Sequence, residues 1–98
     1  MKLYMQWKEL IAEIECVGVS GDAEGEVTGI EYDSRRVRPG RVFVAMKGGT
    51  TDGNRYVEKA IGAGALGIVT DSAHVFDHLT VYHPEVGLAE VEHGRRAL

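Results

Sequence analysis

A single cysteine, Cys16, leaves no partner for an internal disulfide and no spacing for a zinc site, so the chain reads as one from a reducing compartment, the cytoplasm. No apolar run approaches the roughly 20 residues that span a bilayer. The opening residues 1–9 carry charge too early and too often for a secretory signal, so no membrane partner is expected. Excess positive charge is missing too: 11 basic residues against 15 acidic ones give a formal net charge of −4, which argues against nucleic acid as a partner. The loop that cradles nucleotide triphosphates, Gly-x4-Gly-Lys-Ser/Thr, does not occur. Neither does Gly-x-Gly-x-x-Gly. Gly62, Gly64 and Gly67 have another spacing and close a helical pattern, whereas phosphates bind where helices begin. Repeats, low-complexity segments and linkers are absent as well. The 98 residues therefore make one domain, with room for one core, since a chain of this size removes roughly 60–68% of its unfolded surface from water.

What is present alternates between two periods. Trp7, Leu10, Ile11 and Ile14 recur at steps of three and four, which predicts a helix over residues 6–15. Gly18, Gly21 and Gly25 then predict a loop over residues 17–26. Residues 27–32 read as a strand with Gly29 as a bulge or close approach, Pro39-Gly40 as a turn, and residues 41–46 as a strand buried on both faces. Residues 48–53 read as a loop ending in Asp52, a candidate helix cap, and residues 54–63 as a second amphipathic helix closed by a left-handed glycine. Residues 66–70 and 79–82 are predicted strands, and residues 88–98 a closing helix. Strand, helix, strand in mid-chain is a βαβ unit. The predicted class is α/β, a mixed, partly parallel sheet of about four to five strands with flanking helices.

Chemistry-bearing groups are sparse. Cys16 reads as a small core residue rather than a reactive thiol. His74 and His78, beside Asp71 and Asp77, mimic a metal cluster, but no third ligand stands at a defined spacing, so they read as part of a solvated loop. His83 and His93 take no assignment. No acid–base pair supports a mechanism, and neither a catalytic nor a metal-binding residue is predicted. The unusual stretch is Tyr32-Asp-Ser-Arg-Arg-Val-Arg-Pro-Gly-Arg41, with four arginines in seven residues, followed one strand later by Gly48-Gly-Thr-Thr-Asp-Gly53. Guanidinium groups and free backbone amides at strand ends suit a phosphate-bearing ligand. The competing reading is a solvated turn whose arginines pair with surface carboxylates.

Taken in order, Tyr32-Asp-Ser-Arg35, Val37-x-Pro-Gly40, Val42-Phe-Val-Ala45, Gly48-x-x-x-Asp-Gly53 and the later Gly-Ala-Leu-Gly-Ile-Val-Thr70 resemble the N-terminal domain of the Mur ligases, which build the peptidoglycan stem peptide. Within that family the series most resembles the tripeptide-synthetase (MurE) type; the D-alanyl-D-alanine-adding (MurF) type shares the core signature, and a free-standing uridine-nucleotide module is a further alternative. The resemblance implies that residues 1–98 are a substrate-anchoring fragment of an ATP-dependent ligase, inactive alone, whose central and C-terminal domains act in cis. The implied substrate is UDP-MurNAc-L-Ala-D-Glu, extended by meso-diaminopimelate or L-lysine. It further implies UDP contacts from Tyr32, Ser34, Gly49, Thr50 and Thr51. For Arg35 two roles stay open, screening the diphosphate or bracing the turn through Asp33. ATP and Mg2+ are expected for the full-length ligase and no cofactor for this fragment. Asn54 departs from the histidine common at that position in the family.

Overall fold

The computed structural model describes residues 5–21, 23, 25–47 and 52–92. Its centre is a five-stranded sheet in the order β2-β7-β6-β5-β4. The strands are β2 (Gly18–Ser20), β4 (Gly29–Glu31), β5 (Arg41–Ala45), β6 (Gly67–Thr70) and β7 (Gly87–Glu90). Strands β4, β5, β6 and β7 run parallel, and β2 closes one edge antiparallel to β7. A separate antiparallel pair joins β1 (Met5–Gln6) to β3 (Glu26–Val27). The α/β class and the mixed sheet agree with expectation.

Alternation along the central strands explains their unbroken apolar sequence. Phe43, Ala45, Ile68 and Leu88 point to one face of the sheet, while Val42, Val44, Val69 and Ala89 point to the other. Both faces are buried, so the inner positions of these strands are apolar, and polar residues such as Arg41, Thr70 and Glu90 stand at strand ends. Helices α2 (Val57–Gly62) and α3 (Ala73–Tyr82) cover the first face with Val57, Ala60 and Leu79. Helix α1 (Trp7–Ala12) covers the second with Trp7 and Leu10. Helix α1 starts at a reciprocal cap in which Glu9 and Gln6 satisfy each other's backbone donors.

Four segments differ from their predicted form. Residues 79–82, rich in β-formers, belong to α3. Ser72 caps that helix by accepting a hydrogen bond from the Val75 amide at 3.2 Å, and Val75, Phe76 and Leu79 then fall on its inner side. The β-branched and aromatic residues Val81 and Tyr82 stand on its exposed side, where strand propensity decides nothing. The predicted closing helix is strand β7 as far as Glu90, because Leu88 and Ala89 serve opposite sheet faces; residues 93–98 lie outside the described residues. The predicted loop over residues 17–26 contains edge strand β2, whose Val19 is exposed and so lacks an apolar alternation to betray it. The strand over residues 27–32 is divided at Thr28 between two sheets.

The turns hold as predicted. Gly40 and Gly64 both adopt positive φ, +88° and +103°, and the Gly40 amide donates to the Gly64 carbonyl at 3.3 Å. The turn after the arginines is thereby tied to the end of α2, in a backbone conformation that a side chain at either position would strain. Cys16 packs beside the α1 core, and burial pushes its thiol pKa up, as suits an inert residue. Among the described residues no helix is long and apolar enough to cross a membrane.

Candidate functional site

Because β4, β5 and β6 are parallel, the segments that follow them emerge at the same edge of the sheet. Residues 32–40 follow β4, residues 46–56 follow β5, and Asp71 follows β6. This is the edge where open α/β sheets receive ligands. A cavity of about 420 Å³ opens here, lined by Tyr32, Asp33, Ser34, Arg35, Gly53, Tyr56 and Lys59.

The first wall is built by Asp33. Its carboxylate caps the short 3-10 turn Ser34–Arg36 by accepting from the Arg35 amide at 2.9 Å. The Arg35 guanidinium returns onto the same carboxylate, Nε to Oδ1 at 3.0 Å and Nη2 to Oδ2 at 2.8 Å. Of the two roles left open for Arg35, bracing the turn is thus visible, and Arg35 also lines the cavity. Val37, almost fully buried, plugs this turn into the core beneath the sheet edge. Ser34 is buried, yet its hydroxyl makes no hydrogen bond among the described residues. No buried side-chain oxygen or nitrogen there is left without a partner, so the Ser34 Oγ keeps a small opening to the cavity. Tyr32 is exposed.

The other arginines are mostly engaged. Arg41 donates to Glu31 at 3.2 Å and to the Arg36 carbonyl at 2.6 Å, and Arg38 donates to the Val37 carbonyl at 3.0 Å. They line a separate hollow with Glu31 and Arg36, which fits their reading as a turn apart from the ligand contacts.

Hydrogen bonding with Arg35 lowers the Asp33 pKa from 3.8 to about 2. A folded-state pKa below the unfolded value means that the brace stabilises at pH above about 4 and fades as pH falls through about 2. We expect the Asp33 carboxyl carbon to titrate with a midpoint near 2 by NMR, and Arg35→Gln to move that midpoint towards 3.8. A wild-type midpoint near 4 would show that the pair does not persist in solution.

The second wall rests on a polar network. Asp52 caps the 3-10 turn Gly53–Tyr56 by accepting from the Asn54 amide at 2.9 Å, as its position in the sequence predicts. The Asn54 side-chain amide donates to Asp52 at 2.9 Å and to Asp71 at 3.1 Å, while its oxygen accepts from Thr70 Oγ1. Asp71 also accepts from the Lys47 amide at 3.0 Å, and the Gly53 amide donates to the Met46 carbonyl at 3.0 Å. Residue 54 is therefore a clamp between the second loop and β6.

Of the sequence-predicted contacts, Tyr32, Ser34 and Arg35 stand together on the cavity. Gly49, Thr50 and Thr51 lie outside the described residues. Gly53, just beyond them, shares the cavity with Ser34, so the described end of the second loop meets the first turn. Sequence reasoning missed Tyr56 and Lys59. The apolar pattern of residues 54–63 counts Tyr56 on the helix's buried face and passes over Lys59, whereas Tyr56 ends the 3-10 turn before α2 and lines the cavity with Lys59 three positions on. His74 and His78, read as part of a solvated loop, belong to α3, and the unassigned His83 caps its C-terminal end; His83 Nε2 lies 2.9 Å from Glu58 Oε1 and His78 Nε2 3.5 Å from Glu58 Oε2. They tie α3 to α2. Among the described residues no group of three or more His, Cys, Asp or Glu could hold a metal ion.

Comparison with known proteins gives this geometry its context. Residues 26–98 match the family model described as "Mur ligase family, catalytic domain". A UDP-N-acetylmuramoyl-L-alanyl-D-glutamate–2,6-diaminopimelate ligase of Phocaeicola vulgatus is 43% identical over 68 residues, 69% of this chain and 14% of that protein. The ligase of the same name from Clostridium tetani is 33% identical over 94 residues, 96% of this chain and 19% of that protein. The chain thus spans less than a fifth of the length of these curated relatives. Among solved structures, MurF from Acinetobacter baumannii matches with a TM-score of 0.56 at 22% identity, over 70% of this chain and 14% of that one, a likeness of fold. The family model begins at β3, just ahead of the strand β4 that leads into the cavity's first turn, and covers every described residue lining that cavity; matching well over half of the chain, it shows that the chain belongs to the Mur ligase family.

Proposed function

We propose that this domain holds the uridine-diphosphate end of UDP-MurNAc-L-Ala-D-Glu for an ATP-dependent amide ligase of peptidoglycan biosynthesis, acting in the cytoplasm. The observation that carries the reading is the single cavity shared by the Asp33-Ser34-Arg35 turn and the Gly53–Lys59 segment, in a chain of this family. The parent enzyme adds 2,6-diaminopimelate, the amino acid named for several similar ligases. Its partners are that substrate and the remaining ligase domains in cis, with no nucleic acid and no membrane. ATP and Mg2+ do not fit the residues present: the sequence has no triphosphate loop, and no metal-ligating group of three occurs among the described residues. No chemical step is assigned to this chain.

The domain's contribution is positional. Tyr32 and Tyr56 offer aromatic surface for a flat base, and the Ser34 hydroxyl and turn amides offer neutral hydrogen bonds. Binding energy gathered at this handle, remote from the reacting carboxylate, orients that carboxylate in the intact enzyme. UDP at ten times its dissociation constant is expected to add about 1.4 kcal/mol of stability, or roughly 6–10 °C in melting temperature. Ser34→Ala is expected to shrink that shift while leaving the unliganded melting temperature nearly unchanged. No shift at millimolar UDP, or an equal shift with AMP, would refute the reading.

A further inference from the structure

We propose that Lys59 is the residue that holds the diphosphate in this cavity, whereas Arg35 shapes the wall; the inference rests on the uridine-diphosphate reading above. Among the described residues two cationic side chains line the cavity, Arg35 and Lys59. The Arg35 charge is met by a bidentate pair with Asp33, the one carboxylate among the described residues of the cavity wall. A guanidinium held at two points by a carboxylate presents an anionic ligand with a nearly neutral unit. Lys59 is exposed and makes neither an ion pair nor a side-chain hydrogen bond among the described residues. The neighbouring carboxylate, Glu58, is turned towards His78 and His83 on the far side of α2 and does not line the cavity. The positive charge left to the cavity is therefore that of Lys59.

Its placement is fixed by the fold. Val57 and Ala60 bury the inner side of α2, which leaves Lys59 on the side facing the Ser34 turn. The helix end is locked in turn, since the Ala63 amide donates to the Lys59 carbonyl at 3.1 Å and Gly64 meets Gly40. A mobile ammonium on a rigid helix suits a diphosphate, because a compact point charge with three rotatable donors can follow either phosphate. Tyr56 comes from the same segment as Lys59 and Tyr32 from the turn after β4, and both line the cavity, so a uridine nucleotide can set its base against a ring and its diphosphate against Lys59.

Calorimetric titration of the 98-residue chain with UDP and with uridine, at low salt, tests the assignment. Lys59→Gln is expected to weaken UDP about tenfold, the effect of losing one charge-assisted contact, with uridine changed less than twofold. Lys59→Arg is expected to retain UDP within about threefold. Arg36→Gln, in the separate arginine hollow, is expected to leave both ligands unchanged. UDP bound by Lys59→Gln as by the unchanged chain, or uridine weakened as much as UDP, overturns the inference alone. An equal loss in Arg36→Gln also overturns it, as the sign of a diffuse field in place of a contact. An unchanged chain that binds neither ligand overturns the uridine-diphosphate reading and this inference together. Circular dichroism of each variant separates loss of contact from loss of fold.

Discussion

Asp71→Ala is expected to lower the melting temperature by roughly 15 °C, a loss of about 3 kcal/mol in a domain of this size. The reason lies in what the carboxylate holds. Asp71 is 7% exposed and accepts from the Lys47 amide and from Asn54 Nδ2, so alanine leaves two donors at the sheet edge without their acceptor. Both hydrogen bonds are partly buried, and a donor left without its acceptor out of reach of water costs about 1–3 kcal/mol, more than the net contribution of a hydrogen bond made in full. Asp71→Asn keeps a carbonyl oxygen in place and is expected to lose less than half as much. Chemical denaturation of the two variants separates the cases. A loss below about 1 kcal/mol for alanine would mean that the second loop is held by its backbone pairing alone, the Lys47–Asp52 bridge and the Gly53-to-Met46 hydrogen bond.

The same network shows where reading the sequence succeeded and where it fell short. Asp52 was legible as a cap because capping is local: the side chain reaches an amide two residues on, and spacing alone carries that information. Asn54 was legible only as a departure from a family pattern, since its partners Thr70 and Asp71, at the end of β6 and just after it, are sixteen and seventeen positions away. The arginine cluster has the same divide. Pairing of Arg35 with Asp33 is local and stood among the readings, but only the fold brings Lys59 to that turn. Strands β5 and β6 announced themselves through continuous apolar runs, because both faces of the sheet are covered. Helix α3 did not, since Val81 and Tyr82 on its outer side imitate a strand. Local chemistry was readable; partnerships across the sheet were not.

Gly67 provides the sharpest case, and the largest expected effect. The sequence places it at the start of the predicted strand over residues 66–70 but gives it no partner; in β6 it lies directly opposite Gly87 of β7, and the Trp7 indole covers both. A Cβ at Gly67 would come within 2.5 Å of Trp7 Cζ3, and one at Gly87 within 2.5 Å of Trp7 Cε2. The two strands thus leave a paired gap in their side-chain layer, and a single ring from α1 fills it. Trp7→Ala is expected to cost about 3–5 kcal/mol, the transfer of a large aromatic plus the hollow it leaves. Gly67→Ala is expected to cost about 2–3 kcal/mol through overpacking, since the ring is 95% covered and has nowhere to move. Combined, the two are expected to be less damaging than their sum by about 2 kcal/mol, because the added methyl occupies space that the ring has vacated. Trp7→Leu provides a milder background should the alanine variant leave too little folded chain, with the same sign of coupling. A double-mutant cycle in urea reads this directly. Strict additivity would mean that Trp7 does not rest on the glycine pair, and that α1 and the first β-pair are joined to the sheet through Leu10 and Val27 instead.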